Sequence, residues 1–267
     1  MKIKLMQSMA AIAITGAAAS TSAQASTVLY DQDFESPTGF VNDGGDINIF
    51  NPVNDLYGGQ PAGFSFAQAF TVETLLLTGD QAFGTGYSDP TGTGGNYAIG
   101  MLSDRQNDLL GLSFNVGSFD FLNLRADISS IDLDRFGGPF IPAGGLAPVF
   151  RFSLYDNPTG AVGLGTGPVL DMFDVTGTTS ARDTFDWTEA LGGLDATGST
   201  NGEVILRIDL LSGQYAAFDN LRIVASNTPG DVGGVPEPTT WAMMIFGFGL
   251  IGNAMRRRKT KIRFSFA

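Results

Sequence analysis

Catalysis and ion binding need side chains that exchange protons or offer lone pairs, and this 267-residue chain is selective about them: it has no histidine and no cysteine. Ser-His-Asp and Cys-His catalysis are therefore excluded, as are His- or Cys-liganded zinc and any disulfide. What remains is carboxylate chemistry, from 27 Asp and Glu residues. Glutamate is scarce among them: Glu35, Glu73, Glu189 and Glu203, with Glu237 further on. Two carboxylates suffice for glycoside hydrolysis. No two of these glutamates fall in a recognisable constellation, so the chain reads as a non-enzyme, with a carboxylate-dependent glycan hydrolase as the weaker alternative. Sugar platforms use exposed Trp or Tyr, which makes Trp187, Tyr57, Tyr87 and Tyr97 candidates. Phe185 and Trp187 alternate on one face as core residues do. Tyr57 and Tyr87 sit in glycine- and aspartate-rich stretches and are the better candidates for ligand binding. The oxygen-rich run Asn42–Asn48 lacks the spacing of an EF-hand loop, and Gly84–Gly95 has no following lysine or helix to make it a phosphate loop.

The elements that must position these residues read as all-β. Strand-like runs recur at Val28–Phe34, Phe64–Val72, Asn96–Leu102, Leu110–Val116, Phe119–Ile128, Pro148–Tyr155, Val169–Val175, Val204–Leu211 and Tyr215–Val224. Phe150, Phe152 and Leu154 share one face of their run, and Val204, Leu206, Ile208 and Leu210 share one face of theirs. Clusters of Gly, Pro, Asn, Asp and Thr, such as Gly137–Gly145 and Asn157–Gly167, mark the turns. Short strands at this spacing predict a β-sandwich of jelly-roll type over residues 26–228.

The two ends of the chain differ from this domain. Lys2 and Lys4, the alanine-rich apolar run Met6–Ala19 and Ala23-Gln24-Ala25 make residues 1–25 a secretory signal peptide, removed by signal peptidase after Ala25. Residues 229–235 are small and glycine-rich, as a flexible linker would be. Trp241–Met255 holds Asn253 as its one polar side chain. As a helix its 15 residues cover about 22 Å, short of the ~30 Å hydrocarbon core. Arg256, Arg257 and Arg258 would hold the cytoplasmic side and leave the domain outside.

Pro236-Glu237-Pro238, then Trp241-Ala-Met-Met-Ile, Gly247-Phe-Gly-Leu-Ile-Gly252 and Arg256-Arg257-Arg258 resemble the PEP-CTERM sorting signal of Gram-negative bacteria. That resemblance spans residues 236–259, with a basic tail at 260–267 running past the point where such signals usually stop. It implies an exported protein, held transiently in the inner membrane by a transmembrane-type sorting helix. A membrane-embedded, transpeptidase-like exosortase would recognise the Pro-Glu-Pro region and remove the tail. The product is then expected at the cell surface or in the extracellular matrix, linked to extracellular polysaccharide and biofilm.

A second resemblance lies at the ends of the domain. Tyr30-Asp-Gln-Asp-Phe-Glu35 and Ala217-Phe-Asp-Asn-Leu-Arg-Ile-Val224 are similar to the first and last strands of jelly-roll carbohydrate-binding modules. The resemblance implies that the terminal strands pair and that Glu35 and Asp219 bind a structural Ca2+, with backbone carbonyls completing the shell. The alternative for Asp219-Asn220 is a bulge or turn that caps backbone groups. Residues 26–238 set all 27 acids against seven basic residues, every one an arginine. So acidic a domain excludes nucleic acid as a partner.

Overall fold

The computed structural model describes residues 26–41, 53–57, 65–69, 72–78, 87–101, 108–131, 147–213 and 215–233, with 244–245 and 247–249. The signal peptide, the Asn42–Asn48 loop and the sorting residues Pro236, Glu237, Pro238, Trp241 and Arg256–Arg258 lie outside them. Met244–Ile245 and Gly247–Gly249 are helical. Among the described residues no helix is long and apolar enough to cross a membrane.

The alternation seen in sequence becomes eleven strands among the described residues: β1 (Thr27–Gln32), β2 (Ser65–Ala69), β3 (Val72–Leu76), β4 (Tyr97–Met101), β5 (Leu109–Asn115), β6 (Phe121–Ser130), β7 (Val149–Asp156), β8 (Val169–Thr176), β9 (Thr188–Asp195), β10 (Glu203–Ser212) and β11 (Ala216–Ser226). A single helical turn, α1 (Val53–Leu56), precedes β2. The strands form two antiparallel sheets, as the all-β, jelly-roll-like reading requires. One runs β2-β5-β10-β7-β8. The other runs β3-β4-β11-β6-β9, with β1 also pairing with β11. The core lies between them: Phe150, Phe152, Leu154, Val204, Leu206, Ile208 and Leu210 from one sheet meet Ile99, Leu122, Leu124, Phe218, Leu221 and Ile223 from the other. A smaller cluster on the far side of the six-stranded sheet gathers Leu75, Leu77, Ala98, Ile131, Phe185 and Ala217.

Two details bear on function. First, β11 is shared along one edge: Ala216–Phe218 pair with β4, and Leu221–Ala225 pair with β1. Between these two partners sit Asp219 and Asn220, and the register with β6 shifts at the same place. Second, residues 229–233, expected from composition to be a flexible linker, are seated on the sheet. Gly230 N donates to Asn123 Oδ1 at 2.6 Å, and Arg222 Nε donates to the Val232 carbonyl at 2.8 Å. The glycines at 230 and 233 take φ of 76° and 68° to fold the chain back. Small residues here serve close packing rather than freedom.

Candidate functional site at the junction of the first and last strands

β1 is carried on β11 by the pairs Thr27–Ala225 through Gln32–Leu221. Beyond Gln32 the chain must turn sharply away from the end of that ladder. Phe34 does so with φ of 54°, a left-handed conformation unusual for a bulky side chain. It is tolerated because the ring is fully buried, edge-on to Tyr57 and Phe218 at 5.2 and 5.8 Å. The turn is stitched locally: Phe34 N donates to Gln32 Oε1, and Glu35 N to Asp33 Oδ1. Glu35 then faces the start of β4. Its carboxylate accepts from Asn96 N at 2.7 Å, Tyr97 N at 3.0 Å and Asn96 Nδ2 at 2.8 Å. Gly95 lets this loop come so close, since a Cβ there would collide with the Glu35 carboxylate.

On β11, Asn220 also takes a left-handed φ, 50°, and its N–H donates to Asp219 Oδ1 at 2.6 Å. Asn220 Nδ2 bridges the Thr93 carbonyl at 3.1 Å and Asp127 Oδ2 at 2.9 Å. The bulge expected as the alternative reading is therefore present, and its side chains do tie backbone groups. It also gathers acids. Asp219 is 1 % exposed. Burial pushes its carboxyl up to about 8; the Asn220 N–H works against this, and the charges of Glu35, Asp127 and Asp33 add to it.

Glu35 and Asp219, more than 180 residues apart in sequence, thus come to one junction: Glu35 binds Asn96 and Tyr97, and Asn220, bonded to Asp219, binds Thr93 of the same loop. Asp33, Asp127, Asn220 and the Thr93 carbonyl join them. Asp127 was not singled out in sequence; its place on an alternating strand two residues from Arg125 carried no signal of its own. The donor set is entirely hard oxygen, which suits calcium better than a transition metal. Among the described residues no three carboxylates converge tightly enough to hold a metal ion alone. An ion here would complete its shell with backbone carbonyls, as the resemblance implied.

The aromatic candidates fare differently. Tyr57 is 2 % exposed and is not a sugar platform. Its hydroxyl donates to the Phe34 carbonyl at 3.0 Å and accepts from Thr74 Oγ1 at 3.3 Å. The glycine- and aspartate-rich stretch around it folds as α1 and plugs the core with Val53, Leu56 and Tyr57, so exposure inferred from loop composition was wrong. Tyr87 is half-buried, edge-on to Phe185 at 5.5 Å. Phe185 stacks on Trp187 with centroids 5.4 Å apart, as their alternation suggested. Tyr97 meets Phe40 edge-on at 5.2 Å.

The domain glutamates are not brought together as an acid/base pair. Glu35 is at the junction, Glu73 is buried on β3, Glu189 is exposed on β9, and Glu203 accepts from Asn115 at the far end of β10.

Residues 234–259 match the family model of the PEP-CTERM protein-sorting motif. The chain carries a PEP-CTERM sorting motif. It begins one residue after Gly233, whose carbonyl is held by Arg222. No curated relative matches the chain in sequence. Among solved structures, the K3 cleaved adhesin domain of Lys-gingipain from Porphyromonas gingivalis W83 is similar, with 12 % identity, TM-score 0.39 and coverage of 74 % of this chain and 98 % of that one. The CBM22-1 xylan-binding domain of Paenibacillus barcinonensis Xyn10C gives 11 % identity, TM-score 0.38 and coverage of 77 % and 99 %. TmCBM61, solved with β-1,4-galactotriose, gives 10 % identity, TM-score 0.32 and coverage of 62 % and 90 %.

Proposed function

We propose that this is an exported, non-enzymatic β-sandwich protein, delivered to the cell surface or extracellular matrix through its PEP-CTERM motif and acting there among extracellular polysaccharide. Signal peptidase removes residues 1–25. The apolar run after Trp241 holds the chain transiently in the inner membrane, and an exosortase acts on the Pro236-Glu237-Pro238 region. The observation that carries this reading is the sorting motif at residues 234–259, set directly behind a folded domain. The scattered glutamates and the absence of histidine and cysteine support a binding or structural role over catalysis.

Intact-mass measurement of the product from cells with and without the exosortase tests it. With the enzyme, the product should lack both the signal peptide and the apolar-basic tail; without it, the tail should remain. A full tail in both strains would overturn the sorting role.

A second reading deepens the first: a calcium-stabilised carbohydrate-binding module, with Ca2+ held by Glu35 and Asp219. The buried Asp219 carboxyl, with Glu35 and Asp127 as neighbours at the β1–β11 junction, favours the calcium half. For the glycan half, Tyr87 remains a candidate contact and Tyr57 does not.

A further inference from the structure

Residues 226–233 leave β11 and fold back over the outer face of the six-stranded sheet as a strap. Asn123, on β6, is fully buried, and both ends of its amide serve this segment. Nδ2 donates to Ser226 Oγ at 2.9 Å, and Oδ1 accepts from Gly230 N at 2.6 Å. Asn227 Oδ1 accepts from Asp120 N at 3.1 Å. At the far end one guanidinium grips two successive carbonyls: Arg222 Nε donates to Val232 O at 2.8 Å and Nη2 to Gly233 O at 3.3 Å. The remaining nitrogen of that guanidinium pairs with Asp31 on β1. The strap is also folded on itself, with Thr228 N and Thr228 O both bonded to Ser226 Oγ, and Gly233 N bonded to Asp231 Oδ1. β9 makes room for it. A Cβ on Gly193 would lie 2.7 Å from Gly230 N and 3.1 Å from Pro229 Cα.

A peptidase takes its substrate as an extended strand reaching several residues to either side of the cut, so it must first peel a bonded segment away from the fold. The strap is bonded as far as Gly233, and the sorting motif begins at the next residue. We infer that the strap from Ser226 to Gly233 is a built-in stop for tail removal: it sets the upstream limit of trimming, so that the finished product reaches at least to Gly233. Where the tail is removed in the cell, as proposed above, the stop confines the processing enzyme to the Pro-Glu-Pro side and gives the product a uniform end.

The test uses the full chain, purified in detergent and exposed to proteinase K, with product masses followed over time. The wild-type tail should be shortened rapidly and the trimming should halt at or beyond Gly233. Arg222→Ala should be trimmed onward into residues 227–233 at least ten times faster. Gly230→Pro removes the N–H that Asn123 accepts from and cannot adopt the local φ, yet lies in no strand. It should lose the stop in the same way, which guards against a general loss of folding in Arg222→Ala. Cleavage of the wild type between Ser226 and Gly233 as fast as in the variants would overturn the proposal, as would variants that still halt at Gly233. In cells the two readings separate. A tail never removed, with the stop intact in vitro, defeats the sorting role alone. A tail removed from wild type and variants with the same uniform end defeats the stop.

Discussion

Asp209 on β10 and Asp219 on β11 are both buried aspartates near the middle of their sheets, and their surroundings are opposite. Arg207, two residues away on the same face, places its Nε 2.9 Å from Asp209 Oδ2. The same guanidinium lies over the Tyr155 ring at 4.8 Å and reaches the Leu164 carbonyl. Beside it, Arg151, opposite Asp209 in the register, makes a two-pronged contact with Asp174 at 2.7 and 2.8 Å. Charge alternates across that face. At the junction it does not: Asp219 lies opposite Asp127, and Asp127 lies opposite Glu189. Three acids in a row cross three strands, and among the described residues no guanidinium pairs with Asp219. Like charges directly opposite each other destabilise a sheet. With seven arginines the domain compensates one set of acids internally and, among the described residues, pairs none of them with Asp219.

The strongest way to break this contrast is to titrate it. In metal-free buffer the Asp219 carboxyl stays protonated in the fold up to about 8, whereas in the unfolded chain it ionises at its ordinary value near 3.8. Between those values the folded state binds the extra proton, so stability falls as pH rises from about 4 to 8, by on the order of 6 kcal/mol. Thermal melts across that range should show the fall. Asp219→Asn should flatten it and be the more stable protein at pH 8. Millimolar calcium should restore the wild type at neutral pH and leave the variant unmoved. A wild-type melt indifferent to both pH and calcium would dissolve the contrast.

On the other face, Arg207→Ala should cost about 2 kcal/mol by denaturant unfolding, because it leaves Asp209 buried without its cation and strips a ring contact. Arg207→Lys should recover only part, having no planar fork to stack. The smallest effect belongs to Arg151→Ala. Both partners of that pair are well exposed, so the melting midpoint should move by no more than about 1 °C.

How much of this was legible in the sequence follows the same physics. Strands whose apolar side chains recur at every second position, such as β7 and β10, announce themselves by alternation. The run read as one strand from Phe64 to Val72 is really the end of one sheet and the start of the other, with β3 continuing through Glu73 to Leu76. β9 was missed because its Gly192 and Gly193 lower strand propensity. Both are small for tertiary reasons: Gly192 lies under the Phe173 ring and Gly193 under the strap. The pairing of β1 with β11 was foreshadowed by the end motifs, whereas Asp127 and the Thr93 carbonyl are recruited only by the register of β6 and the loop before β4. The strap itself was hidden, because glycine and proline signal freedom in a sequence whether or not a buried amide is waiting for them.

The placement of β10 and β11 has a consequence in time. Each is the middle strand of its sheet, and they are the last two strands of the domain. A chain threaded through a membrane from its N-terminus therefore emerges as a set of edges without centres. Among the described residues β1 has no strand partner until residues 221–225 arrive, some 190 positions later. Pairing over such separations is slow, and here it cannot start early. Without β10 and β11 the other strands can pair only two by two, as β3–β4, β2–β5, β7–β8 and β6–β9, and it is the last two strands, just ahead of the sorting motif, that join them into layers.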